Sequence, residues 1–169
     1  MRSLVVYSSR TGNTRKVAEA IFEVLPEPKE IHPVETAPPP EDFDFVAIGF
    51  WVDRGTADEA ARAYMARTRN RRVGVFGTLA AYPDSDHAKT CLDRVAALLT
   101  ENEFMGGFLC QGKVDPAVRD HVSHLAPETH PMTAERRNRL EEAKKHPDER
   151  DLRNARIAFS AMIDRMRES

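Results

Sequence analysis

The run 4–18 (LVVYSSRTGNTRKVA) constrains this chain more than any other stretch. Residues 4–7 are almost continuously apolar and rich in β-branched side chains, the pattern of a strand covered on both faces. After a polar turn, Val17, Ile21, Phe22 and Leu25 recur at helical spacing, and Pro26 stops the pattern. The turn gathers Ser8, Ser9, Thr11, Asn13 and Thr14 around one glycine, Gly12. A strand that enters a helix N-terminus through such a turn builds an anion site. The first helical N–H groups have no partner within the helix, the helix dipole favours negative charge there, and hydroxyls add donors. A hydroxyl-rich cap that binds nothing is the competing reading.

A nucleoside-triphosphate loop needs a second glycine and a Gly-Lys pair, and a dinucleotide loop needs G-x-G-x-x-G; neither is present here. What stands at 9–14 resembles the Ser/Thr-x-Thr-Gly-x-Thr phosphate loop of the flavodoxin family, which wraps the terminal phosphate of FMN. The resemblance implies that Ser9, Arg10, Thr11, Gly12, Asn13 and Thr14 line that phosphate. Arg10 can pair with it or face water.

A length of 169 residues suits one domain with a substantial core. Two cysteines, Cys91 and Cys110, form no C-x-x-C pair and suggest a reducing, cytoplasmic setting. No apolar run reaches the length of a membrane span, and the N-terminus has no signal-peptide pattern. A net charge of −2 gives no footprint for nucleic acid, and it departs from the strong acidity usual in flavodoxins. Monomer is the default expectation.

Further along, residues 30–34 suggest an edge strand, since Pro33 cannot donate to a central ladder. A loop at 36–42 holds three consecutive prolines, and 43–50 (FDFVAIGF) reads as a central strand. The loop 51–56 follows, with Thr56 or Asp58 able to cap a helix at 57–68. Residues 72–79 form a fourth strand, 86–102 a helix with Leu92, Val95, Ala96 and Leu99 on one face, and 106–114 a fifth strand. Beyond it the spacing predicts a short helix at 116–125, a loop at 127–133 and a charged helix at 134–145. The last helix, 148–167, has Asp148 as N-cap and a stripe of Leu152, Ala155, Phe159, Met162, Ile163 and Met166. The segment 115–147 is a helical insertion before that final helix.

Alternating strands and helices imply an α/β fold with right-handed crossovers and a doubly wound parallel sheet. The resemblance makes it a flavodoxin-like, five-stranded, three-layer α/β/α domain over 1–169, with strand order 2-1-3-4-5 and the ligand at the C-terminal ends of strands 1, 3 and 4. The loops there are 8–14, 50–56 and 78–84. Phe50, Trp51, Val52, Asp53, Arg54 and Gly55 on one, with Tyr82 on the other, then frame the isoalloxazine ring. Trp51, the single tryptophan, is a core residue on general grounds and a ring partner by the resemblance. The resemblance further implies that backbone groups of Gly77, Thr78 and Leu79 bond the ring's polar edge, and that Gly55 belongs to a peptide able to reorient on reduction. Arg54, beside the ring's N1 side, would favour the reduced flavin and raise its potential; an arginine facing solvent is the alternative.

The same topology hosts phosphatases and receiver domains. A phosphatase needs a cysteine in the first turn, and Cys91 and Cys110 lie elsewhere; where Cys110 would need an arginine six residues on, Pro116 stands. A receiver needs carboxylates at strand ends, and 4–9 holds none. His32, His87, His121, His124, His130 and His146 make no H-x-x-x-H pair, so no metal is assigned. Two functions remain. One is an FMN electron carrier docking with a reductase and an acceptor oxidoreductase. The other is a flavodoxin-like enzyme, a quinone- or NAD(P)H-coupled dehydrogenase, with Asp53 or His87 as its acid or base. A flavin-free interaction module is a third, and would leave the phosphate loop empty.

Overall fold

A computed structural model describes residues 1–115 and 132–169. Its strands are β1 (Ser3–Tyr7), β2 (Lys29–Pro33), β3 (Phe45–Asp53), β4 (Thr56–Ala57), β5 (Arg72–Leu79) and β6 (Glu103–Gln111). Five of them run parallel in the order β2-β1-β3-β5-β6, and β4 adds a two-residue antiparallel pairing to β3. Counted along the parallel strands alone, the order is the 2-1-3-4-5 expected from the sequence. β2 sits at the edge, where Pro33 costs no ladder bond.

Side-chain alternation along the buried strands divides the core into two. Leu4, Val6, Val46, Ile48 and Phe50 face helices α2 (Glu59–Arg67) and α3 (Asp86–Ala97), packing with Ala61, Met65, Val95 and Leu99. Val5, Phe45, Ala47 and Phe76 face α1 (Asn13–Val24) and the last helix, α5 (Glu149–Glu168), packing with Val17, Ile21, Phe159 and Ile163. Three layers result because each strand is apolar on both faces.

The helix expected at 57–68 is shortened to Glu59–Arg67, and the charged one at 134–145 to Ala134–Ala143. Three further elements differ from the sequence reading in ways that bear on the site. β3 continues through Trp51, Val52 and Asp53, because Val52 and Asp53 find partners in Ala57 and Thr56. β6 begins at Glu103 and ends at Gln111, not at 106 and 114. Gly106 and Gly107, expected at the start of the strand, lie inside it. A Cβ on Gly107 would stand 2.5 Å from Leu92 Cδ1 and 3.0 Å from Val75 Cγ2, so the glycine admits α3 close to the sheet. α3 stops at Ala97, while Leu99 stays buried in the turn that follows. The expected helix at 116–125, and 127–131 of the expected loop, lie outside the described residues.

α4 (Ala134–Ala143) opens on Thr133, whose hydroxyl accepts from Arg136 N at 3.1 Å. α5 opens on a capping box in which Asp148 and Asp151 each accept from the other's amide at 2.9 Å. Between the two helices His146 donates from Nδ1 to Asp151 at 2.5 Å and from Nε2 to Glu142 at 3.1 Å. Partial burial opposes its charge, but the bonds to Asp151 and Glu142, with the nearby Asp148 charge, outweigh that and raise its pKa. His146, Asp148 and Asp151 bring their ligand atoms within 4.8 Å of one another, a proximity the sequence spacing did not suggest. Here they serve as a clasp between helices.

Two stability effects follow from this packing. Phe159 is fully buried, edge-on to Phe45 and Phe76, and Phe159→Ala should cost about 3–5 kcal/mol in urea denaturation. A histidine with a raised folded pKa contributes fully below its ordinary value of about 6.5 and loses that contribution as pH rises through the folded value. The melting-temperature gap between wild type and His146→Gln should therefore be wider at pH 6 than at pH 9.

Candidate functional site

The turn after β1 is shaped by its own hydroxyls. Ser9 Oγ accepts from Gly12 N at 3.1 Å and from Arg15 N at 3.4 Å. Gly12 stands at the N-cap of α1 with φ 92°, and the helix opens with no capping side chain at that position. A Cβ there would have nothing within 4 Å, so glycine is required by the left-handed backbone and not by lack of room. Thr11 is exposed on the rim. Thr14 differs: its hydroxyl is buried, 3.1 Å from the Thr78 hydroxyl and 3.4 Å from the Phe50 carbonyl. Asn13 also turns away from the loop mouth, donating from Nδ2 to the Lys113 carbonyl at 2.8 Å. Arg10 is exposed and also finds a protein partner. Its Nε donates to Asp115 at 3.0 Å while its guanidinium lies 5.8 Å from the centroid of the Trp51 ring.

Asp58, expected only as a helix cap, does more. Its carboxylate caps α2 through Ala61 N at 3.3 Å, accepts from Trp51 N at 3.1 Å, and accepts from Ser8 Oγ at 2.5 Å. Its own amide donates to the Trp51 carbonyl at 3.0 Å. One buried carboxylate thus joins the first turn, the end of β3 and α2.

The segment expected as a loop at 51–56 is a hairpin instead. β3 and β4 are joined by Arg54 and Gly55 with φ of 51° and 79°. Positive φ at both central residues is the signature of the type I′ turn, whose twist suits a two-residue hairpin. The Arg54 side chain is 94% exposed, with Nε 4.0 Å from Asp53, so it points to solvent and not inward.

A cleft of about 430 Å³ opens between this hairpin, the end of β5 and α3. Val52, Leu79, Ala80 and Ala81 supply apolar wall, and Arg54, Gly55, His87 and Arg94 the rest. Gln111 Nε2 donates to the Ala80 carbonyl at 3.0 Å and holds that wall. Trp51 and Tyr82 stand outside this lining; Trp51 is half-buried and Tyr82 is 40% exposed. Phe50 and Gly77 belong to the core, a Cβ on Gly77 lying 2.5 Å from the Phe50 ring, so Phe50 meets the site only through its carbonyl. Arg94 was missed in the sequence. Its spacing from His87 and Cys91, both on the same helix face at i−7 and i−3, was the available signal. Cys91 and Cys110 are buried free thiols, both shifted up by that burial, which leaves neither primed as a nucleophile.

The family model for the flavodoxin domain matches residues 4–160. This chain belongs to the flavodoxin family. Among its relatives is the flavodoxin-like domain-containing protein BilS of Clostridioides difficile, 31% identical over 171 residues that cover 96% of this chain and 97% of the relative. Oxidised flavodoxin 2 from Bacillus cereus has the same fold with a TM-score of 0.60 at 16% identity, over 98% of this chain and 99% of that one. A flavoprotein from Lactobacillus acidophilus, solved in complex with FMN, superposes with a TM-score of 0.54 at 15% identity, over 72% of this chain and 98% of that one.

The site of this flavodoxin fits FMN. A helix N-terminus with a glycine at its N-cap and flanking hydroxyls suits a phosphate, and an apolar-walled slot at the ends of β3 and β5 suits a flat ring. Among the described residues no helix is long and apolar enough to cross a membrane. Because Asp58 unites three parts of this site, Asp58→Ala should lower stability by at least about 2 kcal/mol and weaken FMN uptake, while Asp58→Asn should do less. Chemical denaturation and flavin fluorescence titration would measure both.

Proposed function

We propose that this flavodoxin is an electron carrier that binds FMN and passes electrons from a reductase to an acceptor oxidoreductase. The observation that supports it is the hydroxyl bond between Thr14 and Thr78, which joins the phosphate turn to the strand beside the ring cleft and makes one continuous site. FMN, when bound, supplies one- and two-electron transfer. The protein's work is to hold and tune it. The first-turn amides of α1, with Ser9 and Thr11, bind the phosphate. Val52, Leu79, Ala80 and Ala81 exclude water from one side of the ring. Backbone groups at Gly77, Thr78 and Leu79 orient its polar edge, and Trp51 and Tyr82 stand on the loops beside it, outside the cleft lining. Arg54, exposed at the turn's tip, adds a positive field at the cleft mouth.

A second reading rests on His87. Its exposed imidazole lines the cleft, where Asp53 does not, and so could move a proton to or from a small substrate in a flavin-dependent dehydrogenase. An anaerobic reductive titration separates the two. Two resolved one-electron steps, with no turnover of NADPH or quinones by the protein alone, support the carrier. A single two-electron step with turnover that His87→Gln removes supports the enzyme. No spectral change on adding FMN overturns both.

Arg54→Glu should lower the flavin potential, and the shift should shrink in high salt because the side chain is exposed and screened. Spectroelectrochemical titration at low and high ionic strength measures it.

A further inference from the structure

We propose that Arg94 is a positioning residue of the flavin site, gripping the turn at 54–55 through the Gly55 carbonyl and setting a positive charge on the cleft wall; this rests on the FMN reading above. Three observations carry it. Arg94 Nη1, in the last turn of α3, donates to the Gly55 carbonyl at 3.1 Å, 39 residues away in sequence. Gly55 is buried although it is a hairpin tip, and what covers it is this arginine. A Cβ built on Gly55 would stand 2.5 Å from Arg94 Nη1 and 4.0 Å from His87 Cε1. Both residues also line the 430 Å³ cleft.

The hairpin itself is a weak anchor. Only two residue pairs join β3 to β4, and a non-glycine residue, Arg54, is held at positive φ. Fixing the tip therefore falls to a contact from a rigid element, and α3 is that element. The grip directs the Gly55 carbonyl towards α3 and fixes the peptide that follows it. The charge has a second consequence. Among the described residues no carboxylate lies within ion-pair distance of Arg94, so its guanidinium is not neutralised locally. A cation on the wall of the cleft favours the more negative state of whatever ring occupies it, and since Arg94 is partly solvent-exposed the effect is moderated by screening. Gly55 and Arg94 form one device, since the arginine reaches its position only because residue 55 has no side chain.

The test uses the full chain with FMN, in the variants Arg94→Gln, Arg94→Lys and Gly55→Ala. Two readouts are followed, the flavin midpoint potential and amide hydrogen exchange at residues 55 and 56. Arg94→Gln should bind reduced FMN about tenfold more weakly relative to oxidised FMN, which for a two-electron couple is a fall of roughly 30 mV. It should also speed exchange at the turn. Arg94→Lys should restore the potential while the exchange remains fast, because the charge returns without the planar fork. Gly55→Ala should reproduce the Arg94→Gln phenotype with the arginine still present. Wild-type chain that binds FMN, with an unmoved potential in Arg94→Gln, overturns the role of Arg94 and leaves the carrier reading intact. Wild-type chain that takes up no FMN removes that reading and this proposal together.

Discussion

The Asp58 carboxylate is the contact on which the rest of the site depends. It sits 2% exposed at the start of α2 and takes hydrogen bonds from Ser8, from Trp51 N and from Ala61 N. A buried carboxylate is tolerated only when its oxygens are satisfied, and here two of its three donors, Ser8 and Trp51 N, come from segments that form the site. The satisfaction of one charge therefore fixes where the phosphate turn leaves β1, where β3 ends and where α2 begins. The helix cap and the site's geometry are the same set of bonds.

A second set of contacts closes the other side. After β6 the chain passes over the phosphate turn, where Lys113 O accepts from Asn13 and Asp115 pairs with Arg10. Gly112 makes the crossing possible, because a Cβ there would lie 2.7 Å from Asn13 Nδ2. Lys113 N in turn donates to the His146 carbonyl at 3.2 Å, which ties this crossing to the clasp between α4 and α5. The final helices are thus not decoration on the sheet alone. They brace the segment that braces the loop.

Much of this was legible in the sequence because the signals were local. The strand–turn–helix at 4–18, the apolar runs of β3 and β5, the capping box at Asp148 and the stripe of α5 each declare themselves within a few residues. The polar turn between β1 and α1 is legible for the same reason. Elsewhere the deciding contacts were between residues distant in sequence. The hairpin at 52–57 depends on a two-residue pairing too short to show periodicity, and β6 begins three residues before its expected start at Gly106 because its partners in β5 are far away in sequence. Arg10 was read as a choice between phosphate and water because Asp115 is 105 residues off. Thr14 was placed with the phosphate ligands by its motif, and its hydroxyl faces the core because Thr78 and Phe50 meet it there.

The bond between Thr14 and Thr78 gives the site the character of a gauge. One hydroxyl belongs to the first turn of α1 and the other to β5 beside the cleft, and both side chains are sealed from water. The distance between the turn before α1 and the end of β5 is then set by a contact inside the core, where packing is dense and hardly compressible. Loops at the rim can vary in sequence without altering that span. On the FMN reading proposed above, a ligand would be measured along its length by that core contact, and a molecule with a shorter or longer tether between phosphate and ring would meet one end of the site at a time.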